Sequence, residues 1–346
     1  MDVALFDYEL PEERIALRPA SPRDSARMLV VKENGSFAHA IVGDLPEFLR
    51  AGDMLVVNDS RVIPARLHAR KPGGPAIELL IHRRTAADRF LALARPARKL
   101  HAGDRLYVGE DLNAEICTRH GAEVEVAFDI AGAGLDAAIA RAGEMPLPPY
   151  IVRRRAADAH DIEDYQTIFA AHEGSSAAPT AGLHFTPNLL ARLTDAGVQR
   201  EAVTLHVGPG TFLPVNETDT ARHRMHSERI SIGAETAARI NAARRAGGRI
   251  VAVGTTALRT LETAADADGA LHACDGETDL FITPGYRFKS VDVLLTNFHL
   301  PRSTLFMLVC AFAGMGTMKR AYAEAIAAGY RFYSYGDATL LFRPCA

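Results

Sequence analysis

Between Arg66 and Glu144 the sequence changes texture, and that change limits what the rest of the chain can fold into. AIELLIH, RFLALAR, DRLYVG and EVEVAF are short, partly alternating runs separated by glycine pairs, aspartates and charged turns. Runs of this kind are strands with one buried face, and several in close succession make a small antiparallel or barrel-like unit. On either side strands and helices alternate instead, which builds α/β layers. The expected fold is α/β: a large discontinuous α/β domain over residues 1–65 and 149–346, interrupted by a small antiparallel β-barrel domain over residues 66–148. GEMPLPPYI at Gly143–Ile151, stiffened by Pro146, Pro148 and Pro149, is the return path into the large domain.

Local signals place the elements. Apolar Met54–Val57 is a strand that exits onto polar Asn58, Asp59 and Ser60. Asp161 is expected to cap a helix over IEDYQTIFAAH, with Ile162, Tyr165, Ile168 and Phe169 as its apolar face and Gly174 as its end. Thr186 caps the next helix, Pro187 opens it and Gly197 closes it. In EAVTLHVG, a strand, Val203, Leu205 and Val207 share one face while Thr204 and His206 share the other. A helix over residues 234–246 leads through RIVAV to a second helix, capped by Thr255 or Thr256. TLFMLVCAFAGM at Thr304–Met315 has the length of a buried helix and falls short of the roughly 18 apolar residues that span a bilayer. The acidic opening MDVALFDYELPEE does not read as a secretory signal, and Cys117, Cys274, Cys310 and Cys345 form no CxxC pair. A cytoplasmic, membrane-free location is expected.

The 39 basic and 42 acidic residues leave a formal net charge of −3, which argues against a generally adhesive nucleic-acid binder. A local basic face is still open, because all but five of those cations are arginines, whose planar forks suit phosphate and carboxylate. A genome-wide preference for arginine explains the same composition.

Polar residues gather in five segments. GSSAAPTAGLHFTP offers Thr180, His184 and Thr186 among small residues that either let a ligand approach the backbone or pack beneath a tight turn. TLHVGPGTF delivers His206 into a Gly-Pro-Gly turn followed by Thr211. HRMHSE carries His223, His226 and Glu228; its HxxH spacing can put two imidazoles on one side of a helical turn, but HExxH is absent and no metal set is evident. VAVGTTALRTLE brings Thr256 and Arg259 to a helix start, where Arg259 can simply pair with Glu262 three residues on. LLTNFHLPRST places Asn297 and His299 at a strand exit. In the tail, YRFYSYGDA sets aromatics before Asp337, either to stack on a base or to pack in the core. Neither GxGxxG nor GxxxxGK[ST] occurs at the glycine-led helix start. Polar groups at several strand ends favour one composite active site.

Taken together, NDSRVIPARL, GEMPLPPYI, YQTIFA, AAPTAGLHFT, TLHVGPGTF, HRMHSE, VGTTALRTLE, TNFHLPRST and YRFYSYGDA resemble the S-adenosylmethionine:tRNA ribosyltransferase-isomerase family of queuosine biosynthesis. The resemblance runs from FDYELP to the C-terminus; GSSAAPT stands where the family more often has GSVAAPT. It implies an enzyme that transfers and isomerises the ribosyl moiety of S-adenosylmethionine onto 7-aminomethyl-7-deazaguanine at the tRNA wobble position. The products are epoxyqueuosine-tRNA, adenine and methionine. S-adenosylmethionine is then a ribosyl-donor substrate, no metal is expected, tRNA is the partner, and a monomer without an obligate protein partner suffices. His184 and His206 are the candidates for proton transfer. Asn58, Arg61, Arg66, Thr180, Thr186, Thr211, His226, Glu228, Thr256, Arg259, Asn297, His299 and Asp337 are the candidate binding residues, with Arg61 and Arg66 on phosphate or carboxylate unless they form structural ion pairs. Arg153, Arg154 and Arg155 are a candidate tRNA-facing patch. Two other classes fit less well: a transferase acting on a free nucleobase, and a noncatalytic RNA-binding module.

Overall fold

In the computed structural model, which describes residues 1–109, 111–212, 215 and 217–344, two sheets carry the fold. Of residues 211 and 212 only the backbone is described. The larger sheet has nine strands in the order Cys274–Thr278, Glu228–Ile232, Gln199–Leu205, Met54–Asn58, Ile250–Val253, Val293–Asn297, Ala338–Phe342, Arg27–Val31, Phe37–Ile41. Gln199–Leu205, Met54–Asn58, Ile250–Val253 and Val293–Asn297 run parallel, and Ala338–Phe342 returns antiparallel beside the last of them. Met54–Asn58, Ile250–Val253 and Val293–Asn297 are buried on both faces, as the centre of a parallel sheet requires. Met54 and Val56 face one core with Leu258, Phe306 and Tyr322; Leu55 and Val57 face another with Phe185, Leu189 and Leu193.

The second sheet closes on itself. Its strands follow the order Arg66–Arg70, Ala76–Ala86, Arg89–Arg95, Glu123–Phe128, Leu112–His120, Arg105–Val108, and the last pairs with the first through Ala69–Val108 and Arg70–Tyr107. Alternation is strict where the sequence suggested it: Leu67, Ile77, Leu79, Ile81, Ala92, Val124 and Val126 point inward and are buried. The helix Gly132–Ala142 covers one end with Leu135, Ala138 and Ile139, and Gly143–Glu144 pairs back onto the first barrel strand. The fold is the expected α/β architecture interrupted by a small antiparallel barrel.

Several local expectations fail for identifiable reasons. The helix over IEDYQTIFAAH shrinks to Asp161–Asp164, leaving Ile162 65% and Ile168 44% exposed. Asp161 is the centre of an arginine cluster, accepting from Arg18 and Arg155, and the Gln166 amide then pairs with both backbone groups of Val62, which holds the chain extended. Neither Thr255 nor Thr256 caps the helix Gly254–Ala264; Gly254 is its first residue, with φ +86. His223 and His226 follow the short turn Thr220–Arg222 in extended chain, so they do not share a helical face. The Thr186 cap holds: its Oγ1 accepts from Leu189 N at 3.1 Å at the start of Pro187–Asp195. No helix is long and apolar enough to cross a membrane among the described residues.

Candidate active site

The C-terminal ends of the four parallel strands lie on one edge of the large sheet, the usual place for ligands in α/β proteins. Gln199–Leu205 delivers His206 there. Asn58, at the end of the neighbouring strand, fixes that exit: its side chain donates to Leu205 O at 2.9 Å and accepts from Leu205 N at 3.0 Å and Ser60 N at 3.1 Å. Asn58 thus acts as a peptide mimic that joins the two strand exits.

His206 is half-buried, and its Nδ1 is shielded from solvent with no hydrogen-bond partner. The ring lies over Gly174, where an added β-carbon would stand 2.8 Å from Nδ1. Burial, then the Arg229 guanidinium and the neighbouring His172, push its pKa below the ordinary histidine value, against an opposing pull from Asp59. The imidazole is therefore neutral near pH 7, with a free ring nitrogen, which is what a general base needs. After the strand, Gly208 N donates to Glu228 Oε1 at 3.0 Å, and the other oxygen of Glu228 accepts from Arg259. Arg259 is buried and its Nε donates to Leu280 O at 3.0 Å, while Glu262 accepts from Ser290 and Val291. Arg259 and Glu262 do not pair; the Glu228–Arg259 ion pair instead fixes the Gly-Pro-Gly turn. His226 is exposed on the same side, its ring so close to Gly210 that a β-carbon there would meet Cδ2 at 2.6 Å.

These groups face a cavity of about 760 Å³ whose opposite wall is the barrel. His206, Gly208, Pro209, Gly210, His226 and Glu228 line one side, and His82, Arg83, Phe90, Leu93 and Glu123 the other. Arg83 reaches across the rim to Glu277 at 3.2 Å, and Glu277 in turn accepts from Ser227 at 2.6 Å. The barrel wall was not found from sequence. Its one available signal was His82, a polar residue closing the apolar run AIELLIH.

A second polar group lies along the same sheet edge. Thr180 Oγ1 donates to Asn297 Oδ1 at 2.9 Å, and Asn297 Nδ2 donates to Tyr333 O at 3.2 Å. Thr256 Oγ1 is buried there without a hydrogen-bond partner, beside the helix start at Gly254. Tyr333 has φ +74, a costly conformation for a non-glycine residue of the kind that collects at functional sites.

Most of the remaining sequence candidates sit in internal hydrogen bonds or ion pairs. His184 is buried, with Nδ1 3.2 Å from Ala181 O and Nε2 3.0 Å from Gly336 O, so no ring nitrogen is free for a substrate proton. Thr186 caps its helix and donates to Asp24. His299 sits in the core with Nε2 3.1 Å from Thr296 Oγ1, its pKa pushed down to about 3 by burial. Asp337 accepts from the backbone amides of Arg27 and Arg331 and from the Arg331 guanidinium. Arg61 donates to Ala170 O at 2.8 Å, and Arg66 to Leu147 O at 3.1 Å beside Glu78. Thr211 lies in the turn Pro209–Phe212, and its side chain falls outside the described residues. Tyr330, Phe332 and Tyr335 are buried in the core. In the arginine triplet Arg155 is taken by Asp161 and Arg154 by Glu12, leaving Arg153 exposed. Among the described residues no group of histidines, cysteines and carboxylates could hold a metal ion.

A family model described as queuosine biosynthesis protein matches residues 3–341. The chain belongs to that family. It is 61% identical over 347 residues to the S-adenosylmethionine:tRNA ribosyltransferase-isomerase of Methylobacterium radiotolerans, covering 99% of this chain and 98% of that protein. The protein of the same name from Maricaulis maris is 57% identical over 351 residues, covering 99% of each chain. Among solved structures, the crystal structure of S-adenosylmethionine tRNA ribosyltransferase from Thermotoga maritima is 39% identical, with a TM-score of 0.57, covering 98% of this chain and 100% of that one. Membership in the queuosine biosynthesis family thus spans both the interrupted sheet and the barrel.

Proposed function

We propose that this enzyme binds S-adenosylmethionine and tRNA in the cleft between sheet edge and barrel. There it transfers and isomerises the ribosyl moiety of the donor onto 7-aminomethyl-7-deazaguanine at the wobble position, giving epoxyqueuosine-tRNA and releasing adenine and methionine. The observation that carries the placement is His206, a neutral imidazole whose Nδ1 has no hydrogen-bond partner, in the wall of a cavity of about 760 Å³. The positive sulfur of the donor acidifies the neighbouring C5′ hydrogens, and His206 takes one of them. His226, Thr180, Thr256 and Asn297 bind donor polar groups along the same edge, and the Glu228–Arg259 pair fixes the turn beneath. His184 serves packing, and the earlier pairing of His184 with His206 as proton carriers narrows to His206.

The modified base has to leave the anticodon stack to reach the cleft. The protein works as a cytoplasmic monomer, without an obligate protein partner and without a metal. The deciding assay mixes purified protein, S-adenosylmethionine and tRNA with or without the aminomethyl-deazaguanine, and follows adenine and the modified nucleoside. Adenine release confined to the modified tRNA is the expected result; release with a free nucleobase alone, or none at all, would overturn the reading. Substituting His206 should slow single-turnover adenine release about 100-fold or more and leave donor binding near wild type.

A further inference from the structure

The outer face of a small barrel ordinarily meets water, yet here the large domain roofs one row of it. Ile81 and Val124 both pair with Ala92, and all three point into the barrel. On the outside Leu93 stands opposite Leu80 and Glu123, and His82 sits in a bulge where the register shifts between Ile81 and Arg83; His82, Leu93 and Glu123 all line the cleft with His206 and His226. The His82 side chain is only 14% exposed, and its Nε2 lies 3.2 Å from Glu123 Oε1, so the two form a histidine–carboxylate pair on the cleft wall. The barrel core gains nothing from a polar pair on its outer face, so the pair points to a ligand.

Two positive groups must meet in this cleft, the sulfonium of the donor and the amine of the acceptor. A primary ammonium ordinarily titrates near about 10, so at neutral pH it cannot attack carbon until a base removes a proton. His206 is occupied with the donor in the reading above, on which this inference rests. We propose that His82 and Glu123 form the acceptor subsite: the Glu123 carboxylate pairs with the aminomethyl ammonium of the tRNA base, and His82 takes one of its protons. The N–H bond breaks and the proton passes to imidazole. Loss of the C5′ proton and of adenine leaves a sugar fragment with a carbon–carbon double bond conjugated to the sulfonium; the nitrogen electron pair adds to that double bond, the π pair moves to the carbon beside sulfur, and the second ammonium proton leaves to solvent. Glu123 then stabilises the imidazolium it faces, as the carboxylate of a histidine–carboxylate pair does.

The charges facing His82 fit this order of events. Burial pushes its pKa below the ordinary value; Glu123 on the barrel opposes that, while the adjoining Arg83 and, from the large domain, His226 reinforce it. The resting ring is neutral and ready to accept a proton.

The test uses the full-length enzyme with H82Q and E123Q, both on the barrel's outer face. Single-turnover formation of the modified nucleoside is followed between about pH 6.5 and pH 9.5, with equilibrium dialysis of S-adenosylmethionine in parallel. At neutral pH each variant should be slower by about 100-fold or more while donor Kd stays within about twofold. The deficit should shrink about tenfold per pH unit as solvent deprotonates the amine. Wild-type rates in both variants, or a deficit independent of pH, would sink the acceptor subsite while leaving the wild-type reaction standing. A wild-type protein that releases no adenine from modified tRNA would overturn the function and the subsite together.

Discussion

The imidazole of His206 rests on the α-carbon of Gly174, so closely that a β-carbon at 174 would stand 2.8 Å from Nδ1 and 3.0 Å from Cε1. Gly174 also has φ +140, which side-chain-bearing residues rarely adopt. Gly174→Ala therefore acts twice: it tilts the ring and strains the strand His172–Ser175. A displacement of this size at a reacting group lowers turnover about 100-fold, and the backbone strain lowers stability by about 1–3 kcal/mol. Single-turnover adenine release well below the melting range separates the two effects. Unchanged release would mean that His206 is not held for chemistry by this glycine.

The acid limb of the rate profile carries information about the same ring. After burial, the nearest cause of its depressed pKa is the Arg229 guanidinium. The base is active when neutral, so activity should persist below the ordinary histidine pKa and fall only as the pH drops through the depressed value. Arg229→Gln removes a cation that disfavours imidazolium, raises the pKa, and moves the acid limb to higher pH. Rate–pH profiles of both proteins at saturating donor decide this; a limb that moves the other way, or not at all, removes Arg229 from the account.

His184 gives the contrasting case. Its ring nitrogens face the carbonyls of Ala181 and Gly336, joining the small-residue segment to the start of the last strand. His184→Ala leaves a cavity and unpaired buried carbonyls, a loss of about 1–3 kcal/mol. Urea unfolding should show that loss, while adenine release measured in the folded range stays within about threefold of wild type. A hundredfold loss with normal stability would instead return His184 to the chemistry.

The two-part architecture was legible because its signals are local. Alternation marks every barrel strand, and Thr186, Pro187 and Gly197 punctuate one helix as the sequence suggests. The failed helix after Asp161 shows where local grammar stops. An aspartate reads as a cap until Arg18, brought from 143 residues away, and Arg155, six residues before it, claim it. The same limit governs the site. His206 could be singled out because it leaves a strand into glycines, but its partners His82 and Glu123 sit on the barrel, more than eighty residues away in the chain. Asn58, Thr186, His299 and Asp337 carry the same polar side chains a ligand site would use. Only their hydrogen-bond partners show that Asn58, Thr186 and Asp337 hold backbone and that the His299 ring meets the Thr296 hydroxyl.

Asp53 offers a test of what holds the sheet edge opposite the site. It is fully buried at the start of Met54–Asn58 and accepts from the amides of Arg50 and Arg249, each at 3.0 Å, and from the Arg249 guanidinium. Burial alone would raise its pKa, but those hydrogen bonds outweigh it and hold the carboxyl below the usual carboxylate range. With a depressed folded pKa, its contribution is complete above the unfolded value of about 3.9 and is lost as pH falls through the folded one. Asp53→Asn leaves Arg249 without its buried partner, which costs about 3–5 kcal/mol near neutral pH. The penalty should shrink on acidification, because the wild-type protein then loses the same ion pair. Urea unfolding of both proteins at neutral pH and near pH 3 measures the difference, and a penalty that stays constant across that range would rule out the carboxylate as its source.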